Sequence, residues 1–184
     1  TQPRREQAMI MPAGQPLLLP VKPWFIGLSL VLALLLEMML GMGLSGRAAW
    51  APSLLAVVLL FWVVHEPRRL GIGACFAFGI ALDVHQGALL GQHGLAFSAL
   101  AFLGLQVHRR LLWFALPTQA LHVLPLLLAA HALQWLVRLL TGSGWPDWSA
   151  LLAPLIEAAL WPVVSVLLLA PQRRAPDPDD NRPL

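Results

Sequence analysis

Apolar residues fill long blocks along this chain, and compact clusters of Arg, His, Pro and Gly interrupt them. The blocks cover roughly residues 24–44, 51–64, 70–82, 89–107, 111–140 and 151–170. Hydrocarbon-spanning helices are punctuated in this way, so the pattern predicts an all-α membrane protein built as a bundle of six transmembrane helices. The second and third blocks are shorter than the roughly 20 residues of a perpendicular span. They are expected to borrow flanking residues or to sit where the bilayer is thinned. The fifth is long enough to tilt or kink, and Pro117 and Pro125 supply the breaks.

Three regions follow: a cytoplasmic N-terminal segment over 1–22, a membrane domain over 23–170, and a disordered cytoplasmic tail over 171–184 rich in Pro and Asp. Met9 and Met11 stand before Pro12 in the manner of a translation start, so residues 1–8 read as surplus to the native protein. The first block carries Glu37 and has no small-residue cleavage pattern, which makes it a retained anchor instead of a secretory signal.

Composition agrees with the pattern. The chain is 58% hydrophobic and 11% charged, against about 25% charged in an ordinary soluble domain. Cys75 is the one cysteine, so no internal disulfide and no cysteine metal framework is possible. The sequence pI of 10.4 raises the question of nucleic acid. The basic residues, however, stand in pairs between spans, where membrane topology accounts for them and no nucleic-acid partner is expected.

Loops rich in Lys and Arg remain in the cytoplasm. With both termini inside, Arg4, Arg5, Lys22, Arg68, Arg69, Arg109, Arg110, Arg173, Arg174 and Arg182 are cytoplasmic, and Arg47 and Arg138 of the 12 basic residues are outside. Dropping or adding a span would carry whole Arg pairs to the wrong face. Indole side chains prefer the headgroup level. Trp24, Trp62 and Trp113 fall at expected inner boundaries, Trp50, Trp135, Trp145 and Trp148 near outer ones, and Trp161 in mid-span. Residues 141–149, with Gly142, Gly144 and Pro146, read as an outer surface turn.

In the third block Gly71, Cys75, Gly79 and Asp83 recur every four residues, with Gly73, Ala77 and Ala81 beside them. Small residues stacked this way let helix backbones approach, so this helix is expected at the packed centre. Glu37, Asp83 and Glu157 lie within or at the edge of spans, where an unpaired charge costs about 2.5–3.5 kcal/mol or more, and they should face protein. Glu157, Trp161 and Ser165 form one stripe, and Thr118 and His122 another.

Three short patterns carry no chemistry. Gly43-Leu44-Ser45-Gly46 matches the rhomboid-type G-x-S-G, yet its serine sits at the outer end of a span beside Arg47. Asp83, His85 and His93 outline a metal site, as do His122 and His131, but the latter two stand half a turn out of phase. His65-Glu66-Pro67-Arg68-Arg69 lacks the second histidine of H-E-x-x-H and reads as a cytoplasmic turn. No catalytic, cofactor or metal residue is assigned.

The stretch GIALDVHQGALLGQH over 79–93 resembles the signature of the MreD family of bacterial rod shape-determining proteins. FWVVHEPRR over 61–69, HRRLLW over 108–113 and Trp161-Pro162 resemble the same family in order and spacing, and the resemblance covers about residues 23–170. It implies a multi-pass bacterial inner-membrane component of the cell-elongation machinery that is not an enzyme. Its implied partners are MreC directly, and MreB, RodA and a class B penicillin-binding protein in the same complex. It also implies a fold similar to the substrate-binding subunits of energy-coupling-factor transporters. From that likeness comes a second reading, a solute-binding subunit or transporter in which Glu37, His122 and Glu157 line one cavity. Of the family signature the chain has Gly79, Asp83, Gly87, Leu90 and Gly91. Gly79 would admit a neighbouring helix, Asp83 would accept from backbone N–H groups where the third span ends, and Gly87 with Gly91 would permit a tight outer hairpin.

Overall fold

A computed structural model describes residues 21–43 and 50–172, without the side chains of residues 42 and 43. Among these residues there are six α-helices and no strand. They are α1 (Pro23–Gly43), α2 (Leu54–His65), α3 (Ile72–Gln86), α4 (Gln92–Leu111), α5 (Leu116–Leu140) and α6 (Leu152–Leu169). A 3-10 turn over Trp148–Leu151 leads into α6 and another over Ala170–Gln172 follows it. The helices Pro23–Gly41, Leu116–Leu140 and Trp148–Gln172 are long and apolar enough to cross a membrane, while Leu54–His65 and Ile72–Gln86 are apolar but shorter. The N-terminal segment up to residue 20, the Leu44-Ser45-Gly46 part of the G-x-S-G match, Arg47, and the tail from Arg173, with Arg174, lie outside the described residues.

The packed centre is α2, which corrects the expectation that α3 would hold that place. Every residue from Leu55 to Val64 is buried, and α2 packs against α1, α4 and α6. A helix apolar all round is either enclosed in a core or a membrane span facing lipid, and here its neighbours enclose it. On α3, burial reaches Cys75, Gly79, Leu82 and Asp83, whereas Gly73 and Ala77 on the companion stripe are exposed. Small residues mark where α3 touches one neighbour; they do not make it central.

That contact is nonetheless very close. A Cβ on Gly79 would lie 2.5 Å from the Gly94 Cα and N and 2.6 Å from the His93 carbonyl carbon. The α3–α4 backbones can therefore approach this closely only with hydrogen in that place.

Two further expectations change. Trp62 is fully buried, not at a headgroup boundary; its Nε1–H donates to Ser29 Oγ at 2.8 Å, and its ring meets Phe25 and Phe61 edge-on. Trp24, Trp113, Trp145 and Trp148 are exposed. The fifth block divides at its start: α4 runs to Leu111, a turn follows, and Pro117 stands in the first turn of α5, where a missing N–H breaks nothing. Pro125 lies inside α5.

Replacing Gly79 by Leu is expected to force α3 from α4 and to lower stability by about 3 kcal/mol. The recovery and melting temperature of monodisperse protein in mild detergent would show this. Gly73→Ala, which meets open space, should leave both unchanged.

Candidate functional site

At twelve residues, α2 is only about 18 Å long, and its N-terminus begins inside the bundle, where Ser53 is buried. A helix start leaves N–H groups without intrahelical partners, and burying them unpaired is costly. Ser53 immediately precedes the apolar run, and its Oγ accepts from the Ala56 N–H at 3.2 Å. Two carboxylates from other helices complete the cap. Glu37 of α1 accepts through Oε2 from the Leu55 N–H at 2.9 Å and from the Ser53 hydroxyl at 3.0 Å. Glu157 of α6 accepts through Oε1 from the Ser53 N–H at 2.7 Å. His131 of α5 in turn holds Nε2 within hydrogen-bond distance of both Glu157 oxygens, at 3.0 and 3.1 Å.

The start of α4 is capped in the same fashion. Gly87 ends α3 with φ of 58° and Gly91 precedes α4 with φ of 98°, conformations that glycine adopts without penalty. The tight hairpin between them turns the α4 N-terminus onto Asp83, which is wholly buried. Asp83 accepts from the Gly91 N–H at 2.9 Å and the His93 N–H at 3.0 Å, with Gly94 N at 3.4 Å. The His93 Nδ1 is hydrogen-bonded to it at 2.7 Å. A carboxylate at a helix N-terminus also meets the positive end of the helix dipole.

Both histidines of these clasps line one cavity of about 500 Å³ at the Gly87 end of the bundle, together with Gln92, Gln134, Arg138 and Thr141. Sequence reasoning passed over His93 and His131 as partners because it tested them as metal ligands. A histidine and an isolated acid on neighbouring apolar helices are a better signal for a buried pair. Asp83 takes His93, whereas His85 Nε2 stands 3.3 Å from the Met38 carbonyl oxygen.

Other singled-out residues lie apart. The Glu157, Trp161 and Ser165 stripe is buried, and the Trp161 Nε1–H donates to Gln119 Oε1 at 3.1 Å, a partner the sequence did not point to. Thr118 and His122 are exposed, and the His122 ring stacks on Phe114 with centroids 4.4 Å apart. Glu37 and Glu157 thus converge on Ser53 while His122 does not join them, so the three do not line one cavity. Leu90 is 67% exposed in the hairpin. Arg68 and Arg69 stand in the turn after α2, where Arg69 Nε is 3.4 Å from Glu66 Oε2; Arg109 and Arg110 stand in the last turn of α4.

The profile of the rod shape-determining protein MreD family matches residues 20–170. The chain is 31% identical over 156 residues to the rod shape-determining protein MreD of Haemophilus influenzae, which covers 82% of this chain and 93% of that protein. No solved structure matches it.

Asp83→Ala and Glu157→Ala are each expected to destabilise the protein by about 3–5 kcal/mol, because each strands buried donors. Ser53→Ala should cost about 1–2 kcal/mol as a lost cap. Thermal unfolding in detergent ranks the three; an unaltered melt with lost shape-determining activity would mark a residue as a direct functional contact instead.

Proposed function

Because the chain belongs to the MreD family of rod shape-determining proteins, we propose that it is the non-catalytic inner-membrane component of the cell-elongation complex that docks MreC. In this role it supports shape-determining peptidoglycan synthesis alongside MreB, RodA and a class B penicillin-binding protein. The observation that carries this reading is the match over the whole membrane body, residues 20–170. The use of the bundle's acids supports a scaffold over an enzyme: Glu37, Asp83 and Glu157 all hold helix N-termini.

In the proposed topology all six helices cross the inner membrane and both termini are cytoplasmic. The paired Arg68–Arg69 and Arg109–Arg110 favour it, since both pairs then lie inside. Gly79, Asp83, Gly87, Leu90 and Gly91 act in this reading as the clasp between α3 and α4. Partner surfaces are the exposed apolar helix faces and short loops.

A solute-binding subunit is the second reading. The polar cavity containing His93, His131 and Arg138 favours it, although not with the residue set of Glu37, His122 and Glu157.

Depletion in a rod-shaped host is expected to produce round cells, seen by phase-contrast imaging; unchanged shape with a new nutrient requirement would favour the solute reading. MreC should co-purify in mild detergent, and its absence would count against direct docking. A cysteine placed beside Arg110 should resist impermeant thiol reagents in intact spheroplasts, and ready labelling there would reverse the topology.

A further inference from the structure

At the bundle end opposite the carboxylate clasps, α4 and α5 part into a groove of about 1270 Å³. Its walls are apolar, from Leu103, Val107, Leu126 and Ala129 among others, and its mouth carries Arg109 and Arg110. Both arginines are exposed, and neither pairs with a carboxylate among the described residues. Trp113, 90% exposed, stands beside them at the rim. His122 also lines the groove, about 9 Å along α5 from its first residue. Its Nδ1–H donates to the Thr118 carbonyl at 2.9 Å, which leaves the other ring nitrogen to the groove. A polar ring on an exposed face inside a membrane calls for a polar partner at that depth.

We propose that this groove is a binding site for an anionic glycerophospholipid, with the phosphate between Arg109 and Arg110 and an acyl chain against the apolar wall. Charge complementarity selects the headgroup: two exposed guanidiniums at the level marked by an exposed indole match a phosphate diester, and Arg binds phosphate with paired donors. The apolar depth selects a lipid over a free anion, because phosphate alone leaves the wall bare. His122 meets the glycerol region, where the headgroup joins the chains. The site lies at a headgroup level whichever leaflet that is, so it rests on the membrane reading alone.

The test uses the full-length protein, delipidated in detergent and titrated with phosphatidylglycerol, phosphatidylcholine of the same acyl chains, or inorganic phosphate. Bound lipid is counted by native mass spectrometry and affinity is read from the melting temperature. Phosphatidylglycerol should bind saturably and raise the melting temperature, phosphatidylcholine should do so weakly, and phosphate not at all. Each arginine contributes about fivefold, so Arg109→Gln with Arg110→Gln should weaken phosphatidylglycerol about 25-fold. Ala129→Phe, which fills the groove but keeps both arginines, should also weaken it; where that variant alters the lipid-free melt, His122→Leu is used in its place and should weaken it too. Equal effects of the two lipids, an equal effect of phosphate alone, or undiminished affinity in the double-arginine variant would each overturn the proposal. MreC co-purification, measured on the same variants, reports separately on the scaffold reading.

Discussion

A helix that starts inside a bundle must find acceptors for its first N–H groups within the protein, and this requirement organises one whole end of the molecule. The N-terminus of α2 is buried at Ser53, and that end is received by Glu37 from α1 and Glu157 from α6. Through Glu157 the cap extends to His131 on α5. One buried helix start therefore ties four helices in register. The α4 start makes a second, smaller version with Asp83 and His93. Acids that would be very unfavourable in lipid are stabilised because each faces several donors and the positive end of a helix dipole.

Packing follows from these fixed ends. With its N-terminus held by neighbours on both sides, α2 is enclosed, and its bulky Phe61 and Trp62 fill the space among α1, α4 and α6. The α3–α4 pair solves a different problem. Its hairpin brings the two backbones together at Gly79 and Gly94, close enough for the Asp83 carboxylate to reach the α4 start.

The two ends of the bundle consequently differ in character. One is locked by buried polar clasps around a polar cavity; the other carries arginines and an exposed Trp113 around an apolar groove. The buried clasps fix the helices at one end of the bundle, and large apolar side chains stand exposed around it. A side chain used as an internal clasp is also withdrawn from the surface, and many of the large side chains left exposed are apolar.

Much of this was legible in the residues alone. Block lengths and their punctuation determined the helix count and placed each helix to within a few residues, with the starts of α2, α4 and α5 and the ends of α3 and α4 missed by most, because a backbone in hydrocarbon must bond to itself. The glycines of the hairpin and the need for Glu37, Asp83 and Glu157 to face protein were equally readable, since local conformation and the penalty for an isolated charge depend on the residue itself. Which helix lies at the centre was not readable. Against lipid, apolar side chains suit the surface and the interior alike, so the uniform α2 and the exposed faces of α1 look the same in sequence. Nor were the partners of the acids: Ser53 with Glu157 and His131 with Glu157 lie 104 and 26 residues apart. Only the folded arrangement of helices decided that these groups meet, because a hydrogen bond is satisfied by distance in space and leaves no period along the chain.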